Sequence, residues 1–123
     1  MPVNGLNHVN IRTMDIAASA QFYVDILDLE YRQGPGVMGN QSNWLYDRQD
    51  NPIIHLRLRE AESKSTGPID HVALDCVGKA DILGRLEARG IAFNIFENGR
   101  PGITQVFLTD PHGVALELNF SGE

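Results

Sequence analysis

Apolar and polar residues alternate along several short segments of this chain, as they do in strands that are buried on one face. The first segment, residues 7–12, places Val9 and Ile11 on one face. Its other face carries the polar side chains His8, Asn10 and Arg12. The pattern predicts a half-buried strand near the start of the chain.

A helical period replaces this alternation in two segments. Residues 15–27 have Asp15 where an N-cap or a first-turn acid belongs. Their predicted buried face consists of Ile16, Ala20, Tyr23 and Leu27. Residues 79–89 carry Ile82, Leu83 and Leu86, and Gly90 is suited to end that helix in a left-handed conformation.

The same order of elements occurs twice. Leu6-Asn7-His8-Val9 recurs as Ile69-Asp70-His71-Val72, 63 positions later. Ile54-His55-Leu56 likewise corresponds to Leu116-Glu117-Leu118, 62 positions later. The remaining strands are predicted at 29–32, 43–47, 53–59, 70–77, 91–96, 103–109 and 114–120.

The repeat predicts an α+β fold made of two βαβββ modules. The modules span about residues 4–60 and 68–121, with a polar linker at about 60–68. Each module is too small to cover both faces of its sheet, so we expect the two sheets to pair within a single domain, 1–123.

Four polar residues occupy equivalent positions in the two modules, on the strand faces opposite the apolar residues: His8, His55, His71 and Glu117. If a pseudo-twofold axis relates the modules, these side chains converge on one point of a concave sheet. Three imidazoles and a carboxylate suit one divalent metal ion, and zinc, nickel, manganese and iron all fit. A single histidine on a strand is usually only a hydrogen-bonded polar residue, but the fourfold symmetry favours a metal site.

Charge and composition exclude several classes of partner. With 10 Lys and Arg against 16 Asp and Glu, the net charge of −6 opposes nucleic acids and anionic membranes. The chain has no apolar stretch near 18 residues, and residues 1–10 do not resemble a signal peptide. We therefore expect a soluble, cytoplasmic protein.

Three other signals are interpreted as structural. Residues 34–39 match GxGxxG, but a strand follows them where a dinucleotide site needs a helix, so they are predicted to be a flexible loop. Cys76 is predicted to be a packed small hydrophobe rather than a nucleophile. His112 lies in the turn at 110–113 and is predicted to be exposed and without function.

Residues 6–32, 44–56, 69–75 and 104–120 resemble the vicinal-oxygen-chelate superfamily, which includes glyoxalases, bleomycin-resistance proteins and extradiol dioxygenases. The matching features are the His-hydrophobic start before a helix with Phe22-Tyr23 and the ending Asp110-Pro111-x-Gly113 before Glu117. The resemblance implies a cup around a metal held by His8, His55, His71 and Glu117. Glyoxalase-like and epimerase-like members often have Glu or Gln where this chain has His55.

The resemblance implies a small substrate that binds the metal through two adjacent oxygens, and we expect lyase or isomerase chemistry with Glu117 as the base. Four protein ligands leave an octahedral ion two positions, too few for a chelating catechol and dioxygen together. An extradiol dioxygenase and a non-catalytic protein that sequesters a drug or metabolite remain the alternatives. A homodimer is expected, and the predicted substrate contacts are Asn10, Arg12, Arg57 and Asn119.

Overall fold

Each half of the chain folds as a strand, a helix and three further strands, as the repeat predicts. The structure is a computed structural model that describes residues 2–35, 41–59 and 66–123. The chain divides into two units, Met1–Ala61 and Glu62–Glu123. The α+β class and the βαβββ order of each unit are therefore confirmed, whereas the single domain and the cup stay predictions.

Unit 1 is a four-stranded mixed sheet with one helix. Its elements are β1 (Val9–Thr13), α1 (Ile16–Leu27), β2 (Glu30–Pro35), β3 (Gln41–Tyr46) and β4 (Pro52–Leu58). The strand order is β1-β4-β3-β2. The first and last strands, β1 and β4, pair in parallel with Asn10 opposite His55, and the other pairs are antiparallel.

Unit 2 repeats this topology. Its elements are β5 (Val72–Cys76), α2 (Lys79–Ala88), β6 (Asn94–Arg100), β7 (Ile103–Thr109) and β8 (Ala115–Ser121). The strand order is β5-β8-β7-β6, and β5 pairs in parallel with β8. Neither α1 nor α2, the helices of the described residues, has the length and apolarity that a bilayer span requires.

The α1 helix begins where the sequence predicts. The Asp15 side chain accepts a hydrogen bond of 3.0 Å from the Ala18 backbone N–H, as an N-cap does. The prediction of its buried face was only half right. The buried residues are Ser19, Ala20, Phe22, Tyr23 and Ile26. Ile16 and Leu27 are half-buried, because the helix is turned so that Phe22 and Ile26 face the interior instead.

The α2 helix is held at both ends by residues outside it. Gly90 has a φ of 66°, so the predicted left-handed helix end is confirmed. The N-cap residue, Gly78, has no side chain to offer. The Glu123 carboxylate accepts hydrogen bonds from the backbone N–H groups of Gly78 and Lys79 instead, at 2.8 to 3.1 Å.

The core of each unit lies on the helix side of its sheet. In β4 the fully buried residues are Ile54 and Leu56, and in β8 they are Leu116, Leu118 and Phe120. Because successive strand residues point to opposite faces, this burial sends His55 and Glu117 to the other face. The core therefore determines which face of each sheet carries the predicted site.

Several predicted boundaries differ from the structure. The β1 and β5 strands begin directly after His8 and His71, and β6 begins at Asn94 and runs to Arg100 rather than covering 91–96. His112 was predicted to be exposed but is half-buried. The predicted loop at 34–39 lies mostly, and the linker at 60–68 largely, outside the described residues.

A buried pair of hydroxyl groups joins the end of β1 to α1. Ser19 Oγ donates to Thr13 Oγ1 at 2.7 Å, and the backbone N–H of Asp15 donates to the same oxygen at 3.1 Å. Both Thr13 and Ser19 are fully buried. The Thr13 hydroxyl therefore satisfies two donors at the start of the helix.

We expect Thr13→Val to lower the free energy of unfolding by about 2 kcal/mol, because two donors lose their acceptor in the interior. Ser19→Ala removes one donor together with its hydrogen and is expected to cost about 1 kcal/mol. Urea unfolding followed by circular dichroism measures both values. Equal midpoints for Thr13→Val and the wild type would contradict the assigned role of this hydroxyl.

Cys76 ends β5, where it is half-buried. Burial, together with the nearby Asp75 charge, raises the pKa of the Cys76 thiol to about 11. Because the thiolate is the reactive form, we expect alkylation by iodoacetamide at pH 8 to be at least about 50-fold slower in the folded protein than in urea. Mass spectrometry over time measures the rate, and equal rates in the two states would show a reactive cysteine.

Candidate metal centre

In unit 1 the two predicted ligands both pack against one aromatic side chain. The Trp44 ring stacks on the His55 ring with centroids 4.3 Å apart, and it meets the His8 ring edge-on at 4.9 Å. Trp44 is opposite His55 in the pairing of β3 with β4. The sheet register thus brings His8 and His55 to the same tryptophan.

Polar neighbours of these histidines engage their ring nitrogens. The Asn7 side-chain oxygen accepts a hydrogen bond of 2.7 Å from His8 Nδ1, and Asn10 Nδ2 lies 3.3 Å from His55 Nδ1. Burial lowers the pKa of His55, and the charges of Arg57 and His8 lower it further. His55 is therefore neutral at pH 7, which is the form that binds metals.

In unit 2 the two predicted ligands face each other directly. His71 Nε2 lies 3.2 Å from Glu117 Oε1. Glu117 is buried, with its side chain 9% exposed, whereas 37% of the His71 side chain is exposed. The Phe107 ring, opposite Glu117 in the pairing of β7 with β8, meets His71 edge-on at 6.3 Å. Phe107 thus occupies the place that Trp44 has in unit 1.

Each member of this second pair has a hydrogen-bond partner of its own. His71 Nδ1 donates to Asp70 Oδ2 at 2.7 Å, and this bond raises the pKa of His71, to which the charge of Glu117 also contributes. Gln105 Nε2 donates to Glu117 Oε2 at 3.2 Å. His71 Nε2 and Glu117 Oε1 are the two atoms left to face each other.

The donor atoms of unit 2 fit a divalent metal ion. Two ligands about 2.1 Å from one ion are about 3.0 Å apart at a right angle and about 3.4 Å apart at a tetrahedral angle. The 3.2 Å between His71 Nε2 and Glu117 Oε1 falls within this range. An imidazole nitrogen and a carboxylate oxygen are also the donors that zinc, manganese, nickel and ferrous iron accept.

Each unit supplies two predicted ligands and not more. Among residues 2–35, 41–59 and 66–123, no group of three or more His, Cys, Asp or Glu side chains is placed to hold a metal ion. A four-ligand centre therefore needs both pairs, and it stays a prediction.

The predicted substrate contacts lie on the same sheet faces as the ligands. Arg12 is opposite Arg57 in the parallel pairing of β1 with β4, and both are exposed. Asn10 contacts His55. In unit 2, Asn119 lies two residues beyond Glu117, and its side-chain oxygen is shielded from solvent without a hydrogen-bond partner in the described part of the chain.

The sequence analysis did not predict the residues that contact the ligands. Four of these residues could have been found from the two-fold repeat, because Trp44 and Phe107 are 63 positions apart and so are Asn7 and Asp70. Gln105 had no such signal, since its counterpart 63 positions earlier is Ser42. Its contact with Glu117 runs diagonally across β7 and β8 and becomes visible only in the structure.

Solved structures with this fold cover nearly the whole chain. A glyoxylase/bleomycin resistance protein/dioxygenase domain from Frankia sp. EAN1pec has a TM-score of 0.76 at 23% identity, with 97% of this chain and 98% of that chain covered. An integron cassette protein from the Halifax Harbour sewage outfall metagenome has a TM-score of 0.74 at 20% identity, with 96% and 99% covered.

A further match is a variant of the fosfomycin resistance protein FosX from Listeria monocytogenes, solved with Mn(II) and a dihydroxypropylphosphonic acid. Its TM-score is 0.70 at 16% identity, with 98% of this chain and 94% of that chain covered. These three likenesses show the fold. No curated protein is similar enough to this chain to count as a match.

The sequence itself shows the family. The model of the Glyoxalase/Bleomycin resistance protein/Dioxygenase superfamily matches residues 5–118, which include all four predicted ligands. The resemblance inferred from the repeated motifs is therefore confirmed, and this chain belongs to the glyoxalase/bleomycin resistance protein/dioxygenase superfamily.

Proposed function

We propose that this chain is a metal-dependent enzyme that carries out lyase or isomerase chemistry on a small substrate bound through two adjacent oxygens. One observation carries the proposal: the pair His71 and Glu117, with donor atoms 3.2 Å apart, recurs in unit 1 as His8 and His55 at equivalent positions. The four side chains are the proposed ligands of one divalent ion, either zinc, nickel, manganese or iron. Held by these residues, such an ion would supply electrostatic stabilisation to the negative charge that develops when a proton leaves the carbon beside a carbonyl.

Within this set, Glu117 is the proposed proton acceptor, alone or together with a bound water. It is the only carboxylate among the four proposed ligands, and a base must lie within hydrogen-bond reach of the proton that it removes. His55 stays neutral, so it supports metal binding without repelling the ion. Asp70 and Asn7 hold the Nδ1 atoms of His71 and His8, which leaves Nε2 of each ring for the metal.

The proposed substrate contacts are Asn10, Arg12 and Arg57 from unit 1 and Asn119 from unit 2. Arg12 and Arg57 are neighbouring cations on parallel strands, an arrangement that destabilises a sheet unless an anion offsets it. Neither has an ion-pair partner within the described segments. This favours a substrate that carries negative charge or develops it during the reaction.

We also propose that the protein is a homodimer, because each unit is a small sheet with a helix to cover one face. The two ligand pairs of one centre then come either from one chain or from two. Both arrangements use the same four residues, so replacing any one of them is expected to weaken metal binding in either arrangement.

Metal binding tests the ligand set. We expect protein stripped with a chelator and dialysed to bind Zn²⁺ or Mn²⁺ with one ion for each set of four ligands, as measured by isothermal titration calorimetry and elemental analysis. His71→Ala and Glu117→Ala are expected to abolish stoichiometric binding while the chain stays folded. The controls are His112→Gln and Glu87→Gln, a histidine and a carboxylate outside the set. Unchanged metal content in both alanine variants would contradict the assignment of His71 and Glu117 as ligands.

The reaction class is tested by two assays. We expect metal-loaded protein to catalyse deuterium exchange beside the carbonyl of 2-oxoaldehyde–thiol adducts or 2-methyl-branched thioesters. Removing the base in Glu117→Gln should slow the exchange by about 10²- to 10⁴-fold. Rapid oxygen uptake with catechols after anaerobic ferrous loading would instead identify a dioxygenase. No turnover in either assay, with tight binding of a drug or metabolite, would identify a sequestering protein.

A further inference from the structure

Glu117 is held on one side by a residue that takes no part in the proposed ligand set. Gln105, two residues before Phe107 on β7, donates its side-chain Nε2–H to Glu117 Oε2 at 3.2 Å. The other carboxylate oxygen, Oε1, faces His71 Nε2 at 3.2 Å. The two oxygens of one carboxylate are therefore divided between an amide donor and a proposed metal ligand.

The position of the Gln105 side chain depends on a glycine in the neighbouring strand. A methyl group on Gly99 would lie 2.5 Å from Gln105 Oε1, well inside van der Waals contact. Gly99 is not among the glycines with positive φ, so an alanine there does not have to adopt the left-handed conformation. Only the Gln105 amide group would have to move.

Two phenylalanines flank this contact on the same face of the sheet. Phe96 is opposite Gln105 in the pairing of β6 with β7, and Phe107 is opposite Glu117 in the pairing of β7 with β8. Their rings meet edge-on at 5.4 Å. Phe96 is exposed and Phe107 is half-buried, so the hydrogen bond between Gln105 and Glu117 is part-buried.

We infer that Gln105 is a positioning residue: it holds Glu117 Oε2 so that Oε1 alone faces the metal position beside His71, and the missing side chain of Gly99 makes room for it. This inference rests on the proposed function, because it assigns a role in a metal centre. Partners of this kind orient a ligand before the ion arrives, and their loss typically weakens metal affinity by about 10- to 100-fold.

A purely structural role would also explain the hydrogen bond between Gln105 and Glu117, since a buried carboxylate needs a donor. The two roles differ in what they change. A structural donor affects mainly the free energy of unfolding of the metal-free chain. A positioning residue affects metal affinity even when Gln105 is retained and only displaced, which is what Gly99→Ala does.

The test compares Gln105→Leu and Gly99→Ala with the wild type in isothermal titrations of Zn²⁺ and Mn²⁺. Gly84→Ala is the matched control, because it makes the same substitution in unit 2 at a position with no atom within 4 Å. We expect affinity to fall about 10- to 100-fold in Gln105→Leu and about fivefold or more in Gly99→Ala. Gly84→Ala should stay within about twofold of the wild type.

A second measurement uses the metal-free protein and is independent of the proposed function. The side-chain amide signal of Gln105 in ¹H–¹⁵N spectra, assigned by its loss in Gln105→Leu, is expected to shift in Glu117→Gln and in Gly99→Ala but not in Gly84→Ala. An amide signal that does not respond to Glu117→Gln would overturn the inference whether or not metal binds.

The calorimetry gives two further outcomes that differ from each other. If the wild type binds metal and Gln105→Leu binds it equally tightly, the positioning role is overturned, whereas the proposed metal centre is not. Wild-type protein that binds neither ion would overturn the proposed function and the positioning role with it, even where the amide signal shows the contact to Glu117.

Discussion

The parallel pairing of the first and last strands of each unit is the constraint on which the rest of the structure depends. In both units the last strand is central, and its alternate residues are fully buried, Ile54 and Leu56 in β4 and Leu116 and Leu118 in β8. A strand in this position cannot slip by one residue without exposing those side chains. The residue between each buried pair, His55 or Glu117, is thereby fixed on the opposite face.

The two units use this constraint with different side-chain chemistry. In unit 1 the histidines pack against an aromatic ring, Trp44, and burial keeps His55 neutral. In unit 2 the corresponding ring, Phe107, lies farther from its histidine, at 6.3 Å, and the buried carboxylate of Glu117 faces His71 and accepts a hydrogen bond from Gln105. The backbone repeat therefore supplies equivalent positions, whereas the character of each ligand pair depends on its neighbours in adjacent strands.

The sequence was informative where periodicity or repetition constrained it. The element order, the Asp15 cap, the left-handed Gly90 and the face of His55 all follow from patterns within a few residues, and the two-fold repeat pointed to His71 and Glu117. The rotation of α1 toward Phe22 and Ile26 could not be predicted, because both faces of that helix carry apolar residues. Contacts such as Gln105 with Glu117 depend on strand register, which local sequence does not encode.

Glu117 affects both the stability of the fold and the proposed chemistry. A carboxylate with a side chain only 9% exposed costs free energy unless it is hydrogen-bonded and paired with positive charge. Gln105 provides the hydrogen bond, but a neutral amide does not balance the charge. The balancing charge belongs on the side of Oε1, where it is either a proton on His71 Nε2 or a metal ion bound by both atoms. Because the proton and the metal would use the same nitrogen, they exclude each other, so the pair holds either a proton or a metal ion beside the Glu117 carboxylate but never both.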